Sequence, residues 1–231
     1  MAKLTANPEP ALYELSEAVL SLRNLSRSGN RFNKPRGPHP HGWGIAYKRD
    51  GKIIIFKSGR PAFEDERFAQ TAAELRTDLL LGHIRLASPG TAIDEENAHP
   101  FKRDELILIH NGTIRDLAPP GRNDSEAFLE WLSARWDRTE SGLAALLGRA
   151  ATELDYTAIN IILTDGRRLL ALRQTLDQPE YLSYYTLYYL REPGRLSLSS
   201  EPLDNRPWES LSNGHMLSAH SPDEVSILPL G

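Results

Sequence analysis

Two runs of residues leave little freedom for the fold: Leu79-Leu80-Leu81-Gly82-His83-Ile84-Arg85-Leu86-Ala87 and Leu106-Ile107-Leu108-Ile109-His110. Each has the length of a strand and is almost continuously apolar. Each therefore predicts a strand buried on both faces. A sheet covered on both sides needs partners on both sides, and amphipathic helices supply them. Leu12, Leu15, Val19, Leu22 and Leu25 recur at helical spacing. They predict a helix to about Arg27, with Asn7 as its cap and Pro8 at its first position. A second helix is expected over residues 123–135, where Asn123 and Glu126 have the spacing of a capping box. Leu143, Leu146, Leu147, Ala150 and Leu154 mark a third.

The remaining strands are shorter. Residues 42–47 and 53–57 read as a hairpin around Arg49-Asp50-Gly51. Residues 159–163, 169–173, 184–190, 196–199, 216–219 and 225–228 read as strands of the second half, the first two joined at Thr164-Asp165-Gly166. Tyr184, Tyr185, Tyr188 and Tyr189 are expected to pack in and beside a sheet. Residues 28–41, rich in Gly, Pro, Asn and His, read as a mobile loop of the kind that covers sites. The natural layering is two sheets with helices on their outer faces, and no linker divides it. One domain over residues 1–231 is the reading.

Composition narrows the partners. The net charge of −4 and scattered basic residues give no reason to expect nucleic acid. No apolar run approaches the ~20 residues that cross a bilayer. Met1-Ala2-Lys3-Leu4-Thr5 has no charged region leading into an apolar segment, so no signal peptide is expected. The chain has no cysteine, which removes disulfides and thiolate metal sites and points to the cytoplasm. His39-Pro40-His41 has no third ligand nearby in sequence, so no metal and no cofactor is expected.

Three features describe a pocket for an amino acid. Arg85 ends an apolar strand, where a guanidinium is costly unless it meets an anion. Asp124 lies in the first turn of a helix, where the dipole favours a carboxylate. Asn111-Gly112 follows the strand ending at His110. Alone, each has an ordinary explanation: a salt bridge, helix chemistry, a turn. Together, a cation suits an α-carboxylate, an acid suits an α-ammonium, and an amide beside a glycine N–H suits a carbonyl oxygen becoming an oxyanion.

These residues fall within a longer series: Met1-Ala2-Lys3-Leu4, His41-Gly42-Trp43-Gly44-Ile45-Ala46-Tyr47, His83-Ile84-Arg85-Leu86-Ala87, Asn97-Ala98-His99-Pro100-Phe101, His110-Asn111-Gly112 and Asn123-Asp124-Ser125-Glu126. Leu163-Thr164-Asp165-Gly166 and Ser199-Ser200-Glu201-Pro202-Leu203 continue it. In that order they resemble the class II glutamine amidotransferases of the N-terminal-nucleophile hydrolase superfamily, and most the small stand-alone members. The resemblance implies an α+β fold, a four-layer αββα sandwich with mostly antiparallel sheets. It implies that Arg85, helped by Ser88, holds the substrate α-carboxylate and Asp124 the α-ammonium. Asn111 and Gly112 would form the oxyanion hole, and the α-amine of the mature first residue would be the base. His99 and His110 would shape the pocket, and His83 would pack or hydrogen-bond. The ligand would be glutamine or a γ-glutamyl small molecule. Ammonia would pass to a separate synthase or ligase partner, or the protein would act as a hydrolase alone.

Two positions depart from the family pattern. His41 stands where Asp is usual. Ala2 stands where the nucleophilic cysteine is expected, and a methyl group cannot attack a carboxamide. Three explanations stay open: an engineered Cys→Ala change, a natural non-catalytic glutamine-binding regulatory protein, or an N-terminal Thr5 nucleophile exposed by loss of residues 1–4.

Overall fold

A computed structural model describes residues 1–6, 8–117 and 123–230, with residues 8–16 as backbone only. In chain order the first half runs β1 (Ala2–Thr5), α1 (Pro8–Arg27), β2 (Gly29–Arg31), β3 (Lys34–Gly37), β4 (Trp43–Arg49), β5 (Lys52–Ser58), α2 (Glu66–Glu74), β6 (Leu79–Ile84), β7 (Phe101–Arg103), β8 (Leu106–Ile114) and α3 (Asp124–Ser133). The second half runs α4 (Glu140–Glu153), β9 (Tyr156–Thr164), β10 (Leu169–Arg173), α5 (Pro179–Tyr184), β11 (Tyr188–Glu192), β12 (Arg195–Ser199), β13 (Glu209–Ser210), β14 (His215–Ala219) and β15 (Val225–Pro229).

The strands form a seven-stranded sheet, β13-β11-β12-β1-β6-β4-β5, and a six-stranded sheet, β15-β14-β10-β9-β8-β7, with β2 and β3 as a separate hairpin. Every strand pairing among the described residues is antiparallel. The two apolar runs explain how the sheets stack. Leu79 and Leu81 of β6 join Ile107 and Ile109 of β8 in a cluster between the sheets, with Ala2 and Leu4 of β1. The alternate residue Leu80 packs outward with Val19, Leu22, Phe68 and Ala72 of α1 and α2. Leu106 and Leu108 pack outward against Phe128, Leu132, Leu143 and Leu147 of α3 and α4. Successive side chains on a strand face opposite ways, so a strand covered on both sides is apolar throughout. Each fully buried leucine contributes ~1.5–3 kcal/mol, and the result is a four-layer αββα sandwich.

Local chemistry fixes the helix starts. The Asn123 side chain accepts from the Ser125 backbone N–H at 2.9 Å and caps α3. Thr139 caps α4 by accepting from Gly142 N–H at 2.9 Å. The expected cap Asn7 lies outside the described residues, as do the side chains of Leu12 and Leu15.

Three expectations are corrected, and one helix is new. The first apolar run is a strand only to Ile84, because the backbone then turns to bond with the segment at residues 41–42. Residues 28–41 contain the β2–β3 hairpin. Residues 179–184 form α5, so Tyr184 ends a helix and the strand begins at Tyr188. Helix α2 was not expected, although Asp65 caps it and Phe68, Ala72 and Leu75 are buried along it at helical spacing. Among the described residues no helix is long and apolar enough to cross a membrane.

Candidate active site

A cavity of about 460 Å³ opens at one end of the two sheets. Its walls come from β6 and the segment after it, from the end of β8 and from the start of α3. Arg85, Ser88, Asn111, Gly112 and Asp124 all line it.

Arg85 is only 3% exposed. Its backbone is held from both sides, Arg85 N–H donating to Gly42 O at 2.9 Å and His41 N–H donating to Arg85 O at 3.1 Å. Its Nη1 donates to Ala92 O at 2.8 Å. Among the described residues no carboxylate pairs with it. Burial pushes its pKa down, and the nearby charges of Asp94 and Asp124 oppose that. The guanidinium stays charged and is free to receive an anion.

Asp124 is the first residue of α3. Its Oδ2 accepts from Ile114 N–H at 2.8 Å, which ties the helix start to the end of β8. The helix dipole favours its negative charge. Asn111 pairs with Asn160 across β8–β9. Its side-chain amide has no hydrogen bond among the described residues. Gly112 beside it has φ +149° and sits hard against β9, where an added Cβ would lie 2.1 Å from Ala158 O.

His110 braces this corner. Its Nε2 donates to Ala158 O at 3.0 Å, which leaves Nδ1 to accept from Ser125 Oγ at 2.8 Å. His41 and His39 serve the loops, as hydrogen-bonding partners. His41 Nδ1 accepts from Ala87 N–H at 2.9 Å, and His39 Nε2 donates to Asn30 O at 2.9 Å. Among the described residues no cluster of three His, Cys, Asp or Glu could hold a metal ion.

His83 and His99 stack with ring centroids 4.2 Å apart. His83 Nδ1 and both ring nitrogens of His99 are buried without a partner. Burial pushes His83 down to about 3, with the chain's amino terminus adding to the effect. Burial also holds His99 well below the usual histidine range and lowers His110. Burial favours the neutral form of all three rings in the folded state, whereas in the unfolded chain they bind protons below about pH 6.5. Below that pH the unfolded state binds more protons, so stability is full above ~6.5 and is lost as pH falls towards 3. The expected result is a urea midpoint that declines through this window, more steeply in the parent than in His83→Gln. A midpoint flat from pH 7 to 4 would contradict neutral burial of the cluster.

Ala2 does not reach the cavity. It is 0% exposed, and Met1 lines the wall in its place. Ala2 pairs with Leu81 on one side and Leu198 on the other. The next residues along those strands, Gly82 and Ser199, line the cavity. Position 2 therefore lies one register step below the floor. The Met1 ammonium donates to Gly82 O at 2.7 Å, and burial pushes its pKa down to about 5. Thr5 lies at the far end of β1, paired with Arg195 and away from the cavity lining.

Sequence reasoning missed a second wall, made of Arg31 and Phe32 on the β2–β3 hairpin and Tyr184 and Tyr185 at the end of α5. The only signal was the composition of residues 28–41, read as a loop near a site.

The family profile of class-II glutamine amidotransferases matches residues 13–193. The chain belongs to the class II glutamine amidotransferases. An uncharacterized protein of Methanocaldococcus jannaschii is 28% identical over 84% of this chain, and the match spans 65% of that protein's length. The γ-glutamyl-hercynylcysteine sulfoxide hydrolase of Mycolicibacterium smegmatis is 29% identical over 82% of this chain and 81% of its own. Among solved structures, a glutamine aminotransferase class-II domain protein from Silicibacter pomeroyi superposes with a TM-score of 0.62 at 21% identity, covering 80% of this chain and 90% of that one. The chain thus shares a fold with a solved class-II domain protein as well as the family's sequence profile.

Proposed function

We propose that residues 1–231 act as one class II glutamine amidotransferase-like domain that binds glutamine or another γ-glutamyl amide. As written, with Ala2 at the nucleophile position, the domain turns its ligand over very slowly or not at all. One juxtaposition carries this reading: a buried, unpaired guanidinium, a helix-start carboxylate and an unbonded amide beside a glycine converge on a single cavity. In that cavity Arg85 and Ser88 hold the α-carboxylate, Asp124 holds the α-ammonium, and Asn111 with Gly112 N–H faces the γ-carbonyl oxygen. Glutamine is the simplest ligand. The name of the Mycolicibacterium relative supports the wider class of γ-glutamyl amides. In a catalytic form, released ammonia passes to a separate synthase or ligase partner, or the protein is a hydrolase.

A second reading is a regulatory protein that binds glutamine or a γ-glutamyl compound without cleaving it. The fully buried methyl of Ala2 favours it for the chain as written. Both readings require binding. Calorimetric titration with glutamine is expected to show a one-site isotherm, and Arg85→Ala to weaken it by roughly 1.5–3 kcal/mol, about ten- to a hundredfold in Kd. Unchanged affinity would remove Arg85 from the site. Absence of binding by the parent chain to glutamine and to a panel of γ-glutamyl amides would end both readings.

A further inference from the structure

The residues assigned to the γ-glutamyl group come from the segment after β6, from β8 and from α3. They leave a whole wall of the cavity unused. At about 460 Å³ the cavity falls in the ~300–1,000 Å³ range that encloses drug-sized ligands, larger than a free amino acid needs.

The unused wall is built around Phe32. Its ring lies 4.9 Å from Tyr181, meets Tyr184 edge-on at 5.4 Å and stacks on Tyr185 at 5.9 Å. Both pieces of the wall are tied down. Arg173 donates to Leu182 O at 2.7 Å, Tyr185 O at 3.0 Å and Leu211 O at 2.7 Å, which fixes the end of α5. Arg36 donates to Ser28 O at 2.7 Å and pairs with Glu201 at 2.9 Å, which fixes the hairpin.

Beside the rings stands Arg31. It also lines the cavity, and its Nε is buried without a partner. The guanidinium lies across Gly37, where an added Cβ would come within 3.0 Å of Nη1. Among the described residues the Arg31 side chain makes no hydrogen bond or ion pair. Glu201, an acid on the same cavity, is taken by Arg36 and by Asn30 N–H at 2.8 Å. A buried donor without a partner is a standing cost that an incoming carboxylate would remove. Lys34 lines the same cavity, so a cationic group against the rings would meet two positive charges.

We infer that the wall formed by Arg31, Phe32, Tyr184 and Tyr185 is the subsite for the amine half of the substrate, and that the ligand class is a γ-glutamyl dipeptide whose second residue is aromatic. The second residue's ring packs on Phe32 and the tyrosines, and its carboxylate pairs with Arg31. This rests on the γ-glutamyl reading above and adds the identity of the other half.

The chain as written suits the test, because it lacks the nucleophile and binding can be measured without turnover. Four ligands are titrated calorimetrically: glutamine, γ-glutamylglycine (carboxylate, no ring), the γ-glutamyl amide of benzylamine (ring, no carboxylate) and γ-glutamylphenylalanine. γ-Glutamylphenylalanine is expected to bind roughly tenfold or more tighter than glutamine, with the other two between. Arg31→Gln should bring γ-glutamylphenylalanine down to the level of the benzyl amide. Phe32→Ala should bring it down to that of γ-glutamylglycine. Neither should change glutamine affinity. The ligand series alone tests the idea if a hairpin variant folds poorly by circular dichroism. Glutamine binding with no gain for the aromatic dipeptide overturns the subsite and leaves the glutamine reading standing. So does a gain that survives both substitutions. Failure of all four ligands to bind overturns the γ-glutamyl reading along with it.

Discussion

Ala2→Cys, in a chain freed of Met1, is expected to release ammonia from glutamine at least about a thousandfold faster than the chain as written. The size of the effect follows from where position 2 lies. Strand β1 is central in its sheet, and Ala2 is held between Leu81 and Leu198. Its side chain faces the other sheet in the cluster that contains Ile109 and Ile162, both of which also line the cavity. Met1 now fills the one register step between Ala2 and the cavity, with its amine on Gly82 O. Removing Met1 opens that step and leaves the α-amine of residue 2 at the wall. A free α-amine ordinarily titrates at ~7.7–8.0. In this chain burial pushes the Met1 amine down to about 5; in the trimmed chain the residue 2 amine, freed at the cavity wall, is the group that accepts the thiol proton. The thiolate then forms a bond to the carbonyl carbon of the γ-carboxamide, the C–N bond breaks, and the nitrogen leaves as ammonia with the transferred proton. Water hydrolyses the thioester to glutamate and restores the thiol. The control is Ala2→Cys with Met1 retained, whose thiol stays covered and whose rate should remain near that of the parent. A coupled ammonia assay reads all three. If the trimmed Ala2→Cys chain binds glutamine and γ-glutamyl amides yet cleaves none of them, the non-catalytic reading is the correct one.

What the sequence revealed and what it hid divide along the range of the interactions. The apolar runs at residues 79–84 and 106–110 announced burial on both faces, because every residue in them has a core to enter. That Arg85, Asn111, Gly112 and Asp124 would share one cavity was legible because an ordered series of short motifs carries them. Asn123 was legible as a cap because capping is a bond two residues long. Helix α5 was misread because tyrosines favour strands in general, although Pro179 sits at its start. The β2–β3 hairpin was misread because its residues are polar and its order comes from Glu201 and Tyr184 elsewhere in the fold, which meet its own Arg36 and Phe32. The same reason hid the aromatic wall, assembled from segments remote in sequence. The cover over Ala2 was hidden too: one register step in β1 decides which residue meets the cavity, and composition does not encode a register.

Gly112→Ala is expected to lower the melting temperature by roughly 5–15 °C and to abolish glutamine binding. With φ +149° this backbone is strained for any L side chain, at a cost of ~1–3 kcal/mol. The new Cβ would also stand 2.1 Å from Ala158 O and 2.8 Å from His110 Nε2. Neither neighbour can yield cheaply. Ala158 is on β9, paired with β8 and β10 on its two sides, and its carbonyl accepts the His110 bond at 3.0 Å. His110 is held in turn by Ser125 at 2.8 Å. Overpacking of this kind adds ~1–3 kcal/mol, for a total of roughly 2–5. In a chain of 231 residues each kcal/mol moves the midpoint by about 2–4 °C. Relief can come only by pushing the end of β8 away from β9, which carries Asn111 out of place and breaks its alignment with the ligand carbonyl. Gly51→Ala separates strain from collision: its φ is +72° and an added Cβ meets nothing within 4 Å. It should cost only ~1 kcal/mol and leave binding intact. Matching midpoints for the two variants would mean that the Ala158 carbonyl does not press on Gly112, and the proposed oxyanion corner would lose its geometry.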